Sequence, residues 1–108
     1  MKCVSTDTIA GQSIRHGDIV HSCAVSGANV VRDVREAITN VVGGKMSRYE
    51  TVLDLTIERA FDTLRSRAAE QGYDGIVGVR VSHPHITDGA IEVVVTGTGF
   101  WYEQNAVG

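Results

Sequence analysis

His21-Ser22-Cys23 is the part of this 108-residue chain whose chemistry is easiest to name. The i,i+2 spacing puts an imidazole and a thiol on one face of an extended strand. Both groups ligate zinc and other borderline-to-soft transition metals. Tetrahedral zinc takes about four ligands, so two more must come from elsewhere. His83-Pro84-His85 supplies them if folding brings the two segments together, and Cys3 and His16 are further candidates. The candidate metal set is therefore His21, Cys23, His83 and His85. Each has a structural reading beside it: Cys23 as a small buried strand residue, His21 as a hydrogen-bonded or interface histidine, His83 as the end of a strand and His85 as a loop residue.

Other chemistries find less support. Ser5, Ser22, Cys23 and the histidines include nucleophile and base types, yet no motif fixes a triad or an oxyanion site. Asp54, Glu58 and Asp62 recur at helical spacing opposite the apolar stripe, with no histidine among them, which describes a solvated face rather than a di-metal centre. Gly43-Gly44-Lys45 lacks both the full phosphate-loop spacing and the strand before it. The chain is not expected to be an enzyme.

The composition bounds the partners. Ten Lys and Arg against thirteen Asp and Glu give a net charge of -3, and neither sign forms a block, so no nucleic-acid footprint is expected. Residues 1–7 hold no apolar signal region, and no apolar run approaches the roughly 18 to 20 residues that cross a bilayer. A cytoplasmic protein with no membrane partner and two reduced thiols is expected. The length suits one domain, residues 1–108, and a chain this short commonly completes an apolar face against partner subunits.

The elements that must position these residues follow from periodicity. Residues 1–17 hold at most a brief extended segment. Asp18 to Val25 alternates as a strand, with Ile19, His21, Cys23 and Val25 on one side and Val20, Ser22 and Ala24 on the other. Asn29 can cap a short helix over about 31–41, whose apolar positions Val30, Val31, Val34, Ala37, Ile38, Val41 and Val42 recur at helical spacing before Gly43-Gly44 stops it. Ser47-Arg48-Tyr49-Glu50 is a capping box. It opens a long helix over about 48–71, with an apolar stripe of Tyr49, Val52, Leu53, Thr56, Ile57, Ala60, Phe61, Leu64 and Ala68. Gly75 to His83 reads as a strand with Val77, Val79, Val81 and His83 on one face. A loop at 84–89 joins it to a strand from Ala90 to Thr96 that can run on to Tyr102. Residues 103–108 read as a flexible tail. Phe100-Trp101-Tyr102 suits either the core or a neighbouring subunit. The fold class is α+β: an antiparallel sheet packed against a long helix and a short helix.

Several segments together resemble the YbjQ-like family, also called UPF0145 and labelled for heavy-metal binding. They are Ser5-Thr6 with Gly11, Gly27-Ala28-Asn29 with Arg32-Asp33, Val42-Gly43-Gly44 before Tyr49-Glu50, Arg59-Ala60, Ala68, Gly72, Val77-Gly78-Val79 and Thr96-Gly97-Thr98. The resemblance spans residues 4–99. It implies a small, dodecin-like α+β subunit assembled as a ring, a homopentamer with adjoining sheets, and it brings no catalytic mechanism. Beside it, Asn29, Arg32, Asp33 and Tyr49 become candidate ligand-binding residues, because a helix N-terminus favours a small anion; the plain alternative is an end cap and an interface ion pair. The chain departs from the family pattern in having Asp7 after Ser5-Thr6 and in lacking the Gly-Glu that commonly precedes the segment at Gly27. His21 and Cys23 are features of this chain rather than of the family. No cofactor is certain, zinc or another transition metal being the candidate.

Overall fold

The last described strand is paired on both sides. The computed structural model describes residues 1–27, 45–84 and 90–103, with side chains along the helix from residue 50 onward. Strand β1 (Lys2–Cys3), β2 (Ile14–Ser26), helix α1 (Lys45–Glu70), β3 (Gly75–Ser82) and β4 (Ile91–Tyr102) follow in chain order. Among the described residues the sheet order is β1-β3-β4-β2, so β3 and β4 are inner strands and β2 is a long edge strand. Both β2 and β3 run antiparallel to β4. The sheet is mixed rather than antiparallel, because β1 lies parallel to β3, Lys2 beside Gly75 and Cys3 beside Ile76. Val4 N donates to Ile76 O, Val79 N to Val4 O and Gly78 N to Thr6 O, which continues this edge past Cys3.

The long helix follows its apolar stripe. Thr56, Ala60, Leu64 and Ala68, one turn apart, are buried against the sheet, with Val52, Leu53, Ile57 and Phe61 packed at the margin. It opens at Lys45, ahead of the Ser47–Glu50 box. Its end is a Schellman turn: Gly72, at φ 83°, donates to Ala69 O and Tyr73 N donates to Ala68 O. Arg65 reaches Asp62 at 3.3 Å on the solvated side, an exposed pair of small energetic weight. The expected helix at 31–41 lies outside the described residues.

Two bulges decide which side chains face this helix. On β2 the register against β4 shifts between His16 and Ile19, and on β3 it shifts between Val77 and Arg80, where Gly78 stands at φ 62°. An extra residue reverses the facing of everything beyond it. Val77 therefore joins Ile9 and Phe100 in a small cluster on the far face, whereas Val79 joins the helix-side core. The expectation that Val77, Val79 and Val81 share one face fails for this reason. On β2, Ile14 packs with the far cluster before the bulge, and beyond it Val20, Ser22 and Ala24 turn to the helix.

The β2 bulge is built around Tyr73. A Cβ on Gly17 or on Gly99 would lie 2.3 Å from its ring, so both neighbours must be glycine for the ring to enter. Asp18 N, one of the two bulged residues' amides, donates to the Tyr73 hydroxyl at 2.8 Å. Trp101 lies beside Tyr73 with ring centroids 4.8 Å apart, donates through its indole N–H to Gly72 O, and carries the Arg15 guanidinium over its outer face. Phe100 is fully buried and Tyr102 meets it edge-on. The aromatic run thus packs within its own chain.

Gly99→Ala is expected to lower stability by about 1–3 kcal/mol, the usual range for overpacking. Tyr73→Phe, which keeps the ring and removes the acceptor for Asp18 N, should cost about 1 kcal/mol. The midpoints of urea unfolding check both.

Candidate functional site

The site residues occupy the stretch of β2 beyond its bulge. Asp74 N donates to Phe100 O, so the even-numbered residues of β4 turn their backbone groups toward β3 and the odd-numbered ones toward β2. Val20, Ser22, Ala24 and Ser26 oppose odd-numbered Gly97, Val95, Val93 and Ile91, and these four residues bond inward. Ile19, His21, Cys23 and Val25 turn their amides and carbonyls outward, to the edge that pairs with no strand among the described residues. Their side chains lie on the face away from α1, opposite Thr98, Thr96, Val94 and Glu92.

All four are exposed, Ile19 by 74% and Val25 by 52%. His21 and Cys23 thus share one open strand face, as their spacing predicts. The reading of Cys23 as a buried strand residue is overturned, because the bulge gives the buried positions to Val20, Ser22 and Ala24.

On the opposite face, polar side chains tie α1 to β2. Ser22, fully buried, donates from its hydroxyl to Ala60 O at 2.6 Å. Thr56 commits its proton to Val52 O, which leaves the Ser26 hydroxyl as donor to Thr56 Oγ1. Two arginines reach around to the edge itself: Arg59 donates to Val25 O at 2.7 Å and Arg67 to His21 O at 2.8 Å. The match is geometric, since eight helical residues rise about 12 Å and four strand residues about 13 Å. Half of the outward carbonyls from Ile19 to Val25 are capped in this way, a familiar means of discouraging strand addition.

The remaining candidates do not join this set. His83 is exposed just beyond the end of β3. His16 bonds through Nε2 to Asp7 O at 3.1 Å. Cys3 is half-buried against the helix-side core; that burial raises its thiol pKa, partly offset by the positive charges of Arg65 and the N-terminus. His85, Asn29, Arg32 and Asp33, like the side chain of Tyr49, lie outside the described residues. Among the described residues no group of three or more His, Cys, Asp or Glu is placed to hold a metal ion. Arg59 and Arg67 are the residues that sequence reading missed. Both look like ordinary solvated helix positions, and only their eight-residue interval matches the rise of the strand.

The chain matches, over residues 1–103, the family described as "Putative heavy-metal-binding". It is 36% identical over 99 residues to a UPF0145 protein of Bacillus cereus, covering 91% of this chain and 96% of that protein. A UPF0145 protein of Bacillus anthracis is 37% identical over the same coverage. None of these names states an activity. The fold is similar to the crystal structure of a protein with unknown function in the DUF74 family from Pediococcus pentosaceus, with a TM-score of 0.66 at 14% identity, covering 94% of this chain and 97% of that one.

The two thiols should separate under alkylation. Cys23, exposed on the strand face, is expected to label first with iodoacetamide; Cys3, held neutral by burial, should require a higher pH than an ordinary thiol before it reacts. Peptide mass mapping across a pH series reads both rates.

Proposed function

The chain belongs to the UPF0145, or YbjQ-like, family, and on that premise we propose that it is a non-enzymatic homo-oligomer, a structural or ligand-binding ring of five subunits working in the cytoplasm. The observation that supports assembly is the apolar surface left open on one chain. Leu55 is 64% exposed on α1, and Val81 is 42% exposed on β3. Covering such residues with neighbouring subunits returns about 25 cal/mol for each Å² of apolar surface removed from water. The number five comes from the family resemblance. In a reducing cytoplasm the free thiols of Cys3 and Cys23 would persist. Among the described residues no helix is long and apolar enough to cross a membrane.

One observation favours a second reading, transition-metal handling: His21 and Cys23 are both exposed, two residues apart on one strand face. A single copy offers these two ligands side by side.

Native mass spectrometry of untagged protein, purified with neither added metal nor chelator, tests both readings. A pentamer that Leu55→Asp breaks to smaller species is the expected result; a wild-type monomer removes the oligomeric reading. A retained metal lost from the His21→Ala, Cys23→Ala double variant supports metal handling, and a metal-free pentamer excludes constitutive binding.

A further inference from the structure

The outward edge of β2 is complementary to itself. Ile19, His21, Cys23 and Val25 all present their side chains to the open face and their backbone groups to an edge that pairs with no other strand among the described residues. A second β2 laid antiparallel along this edge, about a twofold axis at Ser22, sets His21 of each copy opposite Cys23 of the other and Ile19 opposite Val25. Directly opposed residues share a face, with Cβ atoms about 4.5–5.5 Å apart. Two imidazoles and two thiols then form a quartet flanked by two apolar pairs.

We propose that this edge is a metal site shared between two copies, taking Zn²⁺ or a similar borderline-to-soft divalent cation through His21 and Cys23 of each. The proposal rests on the metal-handling reading above and supplies what one copy lacks among its described residues, the third and fourth ligands. The set is a tetrahedral N₂S₂ donor set suited to zinc. On binding, the two thiols release their protons to solvent and the imidazoles coordinate as neutral rings. With all four positions filled by protein, no coordination site stays open for a substrate, so the ion acts as a joint and not as a catalyst.

Arg59 and Arg67 make the joint conditional. The oxygens they cap, Val25 O and His21 O, are acceptors that a second strand needs from this edge. Strand pairing has to displace or share those bonds, and metal coordination supplies the bias for it. Without metal the edge stays closed.

The test is a zinc titration of chelator-stripped, reduced protein followed by native mass spectrometry. The mass of the metal-free species, whatever its subunit number, should double at one zinc per two chains. His21→Ala and Cys23→Ala, both at exposed positions, should each abolish the doubling, and Arg59→Gln with Arg67→Gln should bring it on at a lower zinc concentration. Co²⁺ in place of zinc should give the intense visible bands of a tetrahedral thiolate site. One zinc per chain with unchanged mass, no retained zinc, or a doubling that survives both single substitutions would overturn the shared site. A metal-free monomer that doubles with zinc removes the ring and keeps the joint; a metal-free pentamer unmoved by zinc does the reverse.

Discussion

The Tyr73 ring, seated between Gly17 and Gly99, is the constraint on which the rest of the molecule turns. Its hydroxyl accepts from the amide of Asp18, one of the two residues in the β2 bulge. That satisfies a polar group the ladder would otherwise leave unmade. Because the bulge adds one residue, it reverses the facing of the strand beyond it. Val20, Ser22 and Ala24 go to the helix, and Ile19, His21, Cys23 and Val25 go to the open face. A residue placed just after a helix end thus determines the surroundings of an imidazole and a thiol on another strand.

The seam between α1 and β2 shows how a small domain combines packing with polar satisfaction. Ala60 and Ala68 let the helix sit close to the sheet, and that closeness brings the Ser22 and Ser26 hydroxyls within reach of helix acceptors. Such contacts contribute modestly one by one, since each replaces a bond to water. Their greater effect is on register, because a slip of the helix along β2 would leave the buried Ser22 hydroxyl without its acceptor. The arginines at the margin belong to the same seam, and they set both the helix position and the accessibility of the strand edge.

Much of this was legible in the sequence, and the rest was hidden for identifiable reasons. The spacing of Thr56, Ala60, Leu64 and Ala68 reveals the long helix, and the β-branched residues of 75–82 and 91–96 reveal two strands. The pairing of His21 with Cys23 on one face follows from the strand period alone. Which face that would be does not, since it depends on bulges set by contacts between Tyr73 and distant glycines. Strand β1 escaped because two residues carry no period, and its parallel pairing comes from the path of residues 4–6 along β3. Arg59 and Arg67 escaped because their partners are backbone oxygens, which have no sequence signature.

Placing β4 between β2 and β3 has a temporal meaning. Each rung of the β2–β4 ladder joins residues far apart in sequence, and β1 reaches β3 across the whole helix. Such long-range closures are slow and depend on distant segments being present together. During synthesis β2 emerges before helix α1 and β3, with its alternating apolar face exposed, and waits until both have been made for the strand that will cover one of its edges. Helix α1 is available much sooner. The seam of serines and alanines against that helix is therefore the first shelter β2 can find, and the two arginines at its border guard the other edge from the moment the helix docks.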